Sequence, residues 1–335
     1  MSVGFNIREE YCEQFAGAED INESIPNSSI EILSYEPIST TGEERLVFDL
    51  INAPASHANA LRRTLISSVP SVAIEIVGIC NNTGAMPDEV LCHRLGLIPI
   101  NADPSLLEFP SSPIDDDSND PNVVLVFGLH VKGGHGPETS AFSYQDFKEG
   151  QLPVTYVGDS GIVKSSHLIW MPLEGQLDVF GQVKPLHEDI PITKILPGQE
   201  IHLYARAIKG IGLDHAKYSP VCTAFYRLVP KIEVDQSISR KRKELLVSTC
   251  PVHVFDIEES GDIVICDSRK CTTCRECIRS ARLSTAVKIG KEANRYEFTV
   301  ETVGVRTAST LVKEAFQVLK NRCEQLKSAI QEATN

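Results

Sequence analysis

The spacing of apolar and polar positions changes several times along the chain. Residues 1–25 hold no sustained period and are expected to be irregular. The segments IEILSYEP (30–37) and ERLVFDLINA (44–53) are rich in β-branched and aromatic residues. They flank the turn-forming ISTTGE, so two strands are predicted. After Pro54 the period lengthens. Ala58, Leu61, Leu65 and Val69 share one helical face, with Ser56 as the expected N-cap and Pro70 as the stop. PDEVLCHRLGLI predicts a second short helix, with Asp88 and Glu89 in a first turn where the helix dipole favours negative charge.

From about Asn101 to Lys231 the chain reads as mostly β. VVLVFGLHV and EIHLYARAI have strand composition, and the breaker-rich SSPIDDDSNDP and KGGHGPETS are loops. A cysteine-rich segment follows, ending near Gly290. The strand RYEFTVETVG leads into a long terminal helix. Its Leu311, Ala315, Leu319, Cys323, Leu326 and Ile330 make one apolar stripe that must pack on something. The expected class is α+β.

Composition narrows the functions. With 335 residues the chain can bury more than one core, and 42% hydrophobic with 23% charged residues is ordinary for a globular protein. The net charge of −13 argues against a free-standing nucleic-acid binder, which must neutralise phosphates. No secretory leader and no apolar run of membrane-spanning length is read, so an intracellular protein with no membrane partner is expected. In that setting the ten cysteines point to metal rather than to a disulfide framework.

Cys271, Cys274 and Cys277 form a C-x2-C-x2-C run, which suits three corners of an iron–sulfur cluster better than zinc, since no second pair follows. In ferredoxin-type runs a fourth cysteine, followed by proline, ligates the other cluster. The fourth place here is Ala281, but Cys250-Pro251 stands upstream. Counting back from Cys250, its own run would need Arg240, Lys243 and Leu246. The segment therefore reads as a ferredoxin-like module with one site lost (Arg240, Lys243, Leu246, Ala281) and one whole (Cys250, Cys271, Cys274, Cys277), for a 4Fe-4S or 3Fe-4S cluster. The alternative is that the thiols are relics. Cys266 is expected to be a buried strand residue. With no flavin, haem or nucleotide motif, a structural role is more economical than electron transfer.

Other motifs are weak. GDSG (158–161) lacks the context of a protease nucleophile and reads as a turn. Asp115, Asp117 and Asn119 begin a calcium-loop spacing, but Asp120 stands where glycine is needed and Val126 where the last ligand belongs. GGHG lacks the lysine of a phosphate loop. RKRK (240–243) is a nuclear address, a nucleic-acid contact or a solvated patch. No acid–base pair or triad is found, so no independent enzyme is expected.

Four longer stretches resemble one family. NALRRTLISSVPSVA (59–73) resembles the first dimerisation helix of RNA polymerase alpha subunits. NNTGAMPDEVLCHRLGLIPI (81–100) resembles the archaeal and eukaryotic alpha-like subunits. DHAKYSPVCTAFYRLVP (214–230) is similar to the closing strand of their second subdomain. YEFTVETVG with the terminal helix resembles their return to the dimerisation domain. The archaeal alpha-like member of this family carries a ferredoxin-like insertion at the place of these cysteines. GIGLDHAKYSPV looks more like the larger alpha-like subunit shared by eukaryotic RNA polymerases I and III than like the polymerase II counterpart.

The resemblance implies a dimerisation domain (28–70 and 291–335), an inserted mostly-β subdomain (71–234) and a ferredoxin-like module (235–290). It implies a nuclear, non-catalytic assembly subunit, in nucleolus and nucleoplasm, that pairs with a smaller alpha-like subunit. The pair would form the platform for the two large catalytic subunits, and DNA would be met only through the complex. Leu61, Leu65, Leu311, Phe316, Leu319 and Leu326 are the implied interface positions, each of which also fits an internal core. Arg62 and Arg63 are similar to the arginines that help dock the large subunits. The alternatives are an alpha-like subunit of another RNA polymerase, or an iron–sulfur electron carrier.

Overall fold

The computed structural model describes residues 2–7, 12–18, 28–38, 42–110, 120–137, 152–279, 283 and 285–334. The elements run β1 (Ser2–Ile7), β2 (Cys12–Ala18), β3 (Ser29–Pro37), β4 (Glu44–Ile51), α1 (Ala55–Ser67), β5 (Pro70–Asn82) and α2 (Asp88–Gly96). Next come β6 (Val124–Lys132), β7 (Thr155–Tyr156), β8 (Ile162–Lys164), β9 (Ile169–Met171), α3 (Gln176–Phe180), β10 (Pro191–Lys194) and β11 (Glu200–Ile211). The last are β12 (Val221–Val234), α4 (Arg240–Thr249), β13 (Phe255–Ile257), β14 (Ile263–Ile265), α5 (Glu276–Arg279), β15 (Val287–Thr302) and α6 (Ala308–Thr334). The fold is mixed α and β, with its sheets largely antiparallel.

Two compact units divide the chain. One gathers Met1–Leu33, Val47–Ala58 and Tyr226–Phe298, and the other Ser34–Leu46, Asn59–Phe225 and Thr299–Asn335. The second holds the sheet β5-β11-β6-β7, with β9 also paired to β6. Along β11, Ile201, Leu203, Ala205 and Ala207 are buried while Glu200, His202, Tyr204 and Arg206 are less so, the period-two pattern of a strand with one core face. Leu91 and Leu95 of α2 join that core with Ile74, Phe127, Leu129 and Leu203. Arg94, in the last turn of α2, donates to the carbonyls of Ile192 and Pro191, both at 2.6 Å, and so pins the helix to β10.

In the first unit, Phe48 and Phe298 stack at 5.1 Å and Tyr226 lies 5.2 Å from the Phe298 ring. The order β12-β15-β4-β3 makes a four-stranded sheet.

Three expectations change. The N-terminal stretch holds the antiparallel strands β1 and β2 instead of being irregular. Ser56 lies inside α1, which starts at Ala55. The amides of His57 and Ala58 bond to the Pro54 carbonyl, so Ser56 is not the cap. Cys266 is exposed beyond the end of β14 rather than buried in a strand. The spacing at Asp115, Asp117 and Asn119, and the position Ala281, lie outside the described residues.

Candidate functional site

Helix α4 ends against Cys250, and the backbone turns sharply there. The His253 amide bonds to the Cys250 carbonyl, and His253 takes a left-handed φ of 51°. This brings the Val254 amide to the Cys250 sulfur at 3.4 Å. A hairpin of β13 and β14 follows. Asp267 then caps a tight turn at Ser268–Lys270, accepting from the Arg269 amide at 2.9 Å. The Thr273 amide reaches the Cys271 sulfur at 3.4 Å. Thr273 and Arg275 both have positive φ, 57° and 65°, conformations that non-glycine residues hold only when their surroundings impose them. The short helix α5 buries Cys277.

The four thiols that the sequence singled out thus fall in one small module. Cys250 and Cys277 sit in one core with Leu246, Phe255, Ile263 and Leu283, and Cys271 packs against it, while Cys274 is exposed. Burial pushes the Cys277 thiol up, and charge on Cys271, Cys274 and Cys250 pushes the same way. Among the described residues, no three or more His, Cys, Asp or Glu side chains are placed to hold one metal ion.

Two of the positions expected to be a lost second site hold packed side chains. Leu246 is fully buried, and Lys243 is 7% exposed with Nζ donating to the Gly261 carbonyl at 2.7 Å and to Asp262 at 3.2 Å. Lys243 thus departs from the solvated patch expected of RKRK, while Lys241 is exposed. Arg240 is exposed beside Glu244, but Lys243 is a structural residue.

The implied interface positions separate into two groups. Leu61, Leu65 and Leu311 have no exposed surface, so their side chains are already covered within this chain. Phe316 is 39% exposed, Leu319 half-buried and Leu326 65% exposed. Every residue from Lys320 to Ala333 is exposed, so the far part of α6 carries Leu326 and Ile330 into solvent. Arg62 donates to Asn59 Oδ1 at 2.9 Å, and Arg63 is exposed. The base of α6 is fixed. Arg306 bonds Glu314 and the Pro70 carbonyl, and Arg322 donates to Ser68 at 3.0 Å.

Sequence reasoning missed a buried charge network. Asp49 is fully buried on β4. Arg269 grips it with two bonds of 2.9 and 2.6 Å, and Arg295 Nε adds a third at 2.7 Å. Arg269 also donates to Glu297 at 2.6 Å, and the other oxygen of Glu297 accepts from Arg227. Burial alone would raise the Asp49 carboxyl. The hydrogen bonds from Arg269 and Arg295 outweigh it and hold the group below the usual range. A carboxylate within the apolar run LVFDLI was the available signal.

A third cluster lies in the DHAKYSPV stretch. Tyr218, 3% exposed, donates to Glu75 at 2.8 Å, and Lys217 pairs with the same carboxylate. Burial and Glu75 push the Tyr218 hydroxyl well up. Tyr218→Phe is expected to cost about 1.5 kcal/mol, read by urea unfolding.

The described residues contain no helix long and apolar enough to cross a membrane. The model of the RNA polymerase Rpb3/Rpb11 dimerisation domain matches residues 47–323. A Dictyostelium discoideum protein named DNA-directed RNA polymerases I and III subunit rpac1 is 37% identical over 94% of this chain and 86% of its own length. The subunit RPAC1 of Homo sapiens is 38% identical over 84% of this chain and 80% of its own length. That of Saccharomyces cerevisiae is 38% identical over 87% and 86%.

Proposed function

Since this chain belongs to the RNA polymerase Rpb3/Rpb11 dimerisation family, we propose that it is the non-catalytic assembly subunit shared by DNA-directed RNA polymerases I and III. The observation that carries this is the similarity, over most of the chain, to relatives bearing that name. Its partner is a smaller alpha-like subunit. The exposed apolar end of α6 supports that pairing, because a stripe of this kind is stable in water only when another surface covers it. The heterodimer is the platform for the two large subunits, in nucleolus and nucleoplasm, and DNA is met only through the assembled enzyme. Segments 28–70 and 291–335 serve dimerisation, 71–234 is the inserted mostly-β subdomain and 235–290 the ferredoxin-like module. The alternative of an iron–sulfur electron carrier finds no support in the relatives' names.

The four cysteines fit a structural iron–sulfur cluster. A single ion needs all its ligands around one point, whereas a cluster brings its own corners and takes one thiolate at each. The backbone amides of Val254 and Thr273 point at the sulfurs of Cys250 and Cys271, each at 3.4 Å. Bound to the folded module, the cluster would add its binding energy to folding. Cys274→Ala is expected to remove iron and to lower the stability of the module, with iron assay and thermal unfolding as readouts.

The function is tested by mild affinity purification of the tagged chain from its own cells, followed by mass spectrometry. Large subunits of both polymerases I and III are expected. Large subunits of polymerase II alone would overturn the assignment.

A further inference from the structure

We propose that Arg269 is a mechanical joint that ties the cysteine loop to the strands leading into the dimerisation helices, so that the state of the four thiols is felt in those strands. This rests on the iron–sulfur reading above and adds a route to it. Arg269 lies two residues before Cys271, in the turn capped by Asp267. Its guanidinium leaves the loop and holds Asp49 on β4 through both oxygens and Glu297 on β15 through one. Glu297 in turn holds Arg227 on β12. One side chain of the loop thus fixes carboxylates on two strands, and a third strand is linked through Glu297.

Chain continuity gives the link a consequence. β4 runs into α1 after three residues, Asn52 to Pro54, and β15 runs into α6 through the 303–307 turn. At the junction, Asn52 and Asn294 both take positive φ, and the Ala53 amide bonds to the Asn294 carbonyl at 3.3 Å.

The loop itself is held from two sides. Its backbone carries the left-handed Thr273 and Arg275, which persist only under constraint. The thiols constrain it at Cys271, Cys274 and Cys277, and Arg269 constrains it from the sheet. With the thiols unligated, the loop keeps the Arg269 grip and the packing of Cys271 and Cys277 on the module's core, and loses its ties at exposed Cys274 and between the thiols. A loop that loosens withdraws its guanidinium from Asp49, a carboxylate with no exposed surface that would keep only Arg295. Loss of the cluster is thereby converted into loss of order in β4.

The test uses the full chain co-expressed with its smaller partner, and hydrogen–deuterium exchange of peptides from β4 and β15. Iron is removed anaerobically with a chelator and followed by absorbance. In the native chain, iron removal is expected to speed exchange in β4 roughly tenfold or more. In Arg269→Gln, iron still binds, exchange in β4 is already fast and it no longer responds to the chelator. Arg269→Lys, which keeps the charge and loses the two-pronged grip, serves if the glutamine variant does not fold, and is expected to show a weakened response. Iron that binds but whose removal leaves β4 unchanged overturns the joint and spares the cluster. A chelator response that survives in both variants also overturns it. A chain that holds no iron overturns the cluster reading and the joint with it.

Discussion

Leu326→Asp combined with Ile330→Asp is expected to release the smaller alpha-like partner while leaving this chain folded. Both side chains are more than half exposed, 65% and 63%. Surface substitutions of this kind change the stability of the free chain by no more than about 0.5 kcal/mol. In the pair they sit on the apolar stripe, where each loss is about 2 kcal/mol by the scale of interface anchors. Together that is a fall in affinity of roughly 1,000-fold. Pull-down titration reads the affinity, and circular dichroism of the free chain reads the fold. Leu65→Asp is the opposite case. Leu65 is fully buried, so a charge there unfolds the chain and reports nothing specific about the partner.

Asp49→Ala is expected to destabilise the first unit by about 2–3 kcal/mol, because Arg269, left with Glu297, and Arg295, left with Glu31 and Glu292, both lose the buried carboxylate they share. The same carboxylate sets a pH dependence. Its folded pKa is depressed, so the unfolded chain binds the proton more readily. The stability it contributes is fully present above the ordinary aspartate value of about 3.9. It is lost as pH falls from there through the folded value. Urea unfolding of the native chain from neutral pH into that acid range should show the loss. Asp49→Asn should be weaker at neutral pH and flatter on the acid side. An Asp49→Asn chain with the native acid slope would contradict the role given to this carboxylate.

How much of this could be read from the chain depends on how local each cause is. The face Ala58, Leu61, Leu65 and Val69 was legible because helix period is local, and all four are buried. That Cys271 and Cys277 fall together was legible because C-x2-C-x2-C is a property of a short segment, and only Cys250, in the same core, had to be found at a distance. The Ser56 cap was misplaced by two residues, because the helix starts at Ala55 and the Pro54 carbonyl already accepts the first amides. Cys266 was misread because residue type gives only an average burial. Lys243 was misread for a related reason. A lysine in a basic run looks solvated until the carbonyl of Gly261, eighteen residues on, is brought to it. The Asp49–Arg269 grip joins residues 220 apart, and no local pattern carries a pairing of that span.

The central claim is that this chain is one half of an asymmetric pair. The most direct measurement is native mass spectrometry of the chain, 36.8 kDa, co-expressed with the smaller alpha-like subunit of its own organism. A single one-to-one heterodimer is predicted, lost with Leu326→Asp and Ile330→Asp. A chain that stays monomeric beside the smaller subunit, or that pairs with itself in preference to it, would contradict the claim.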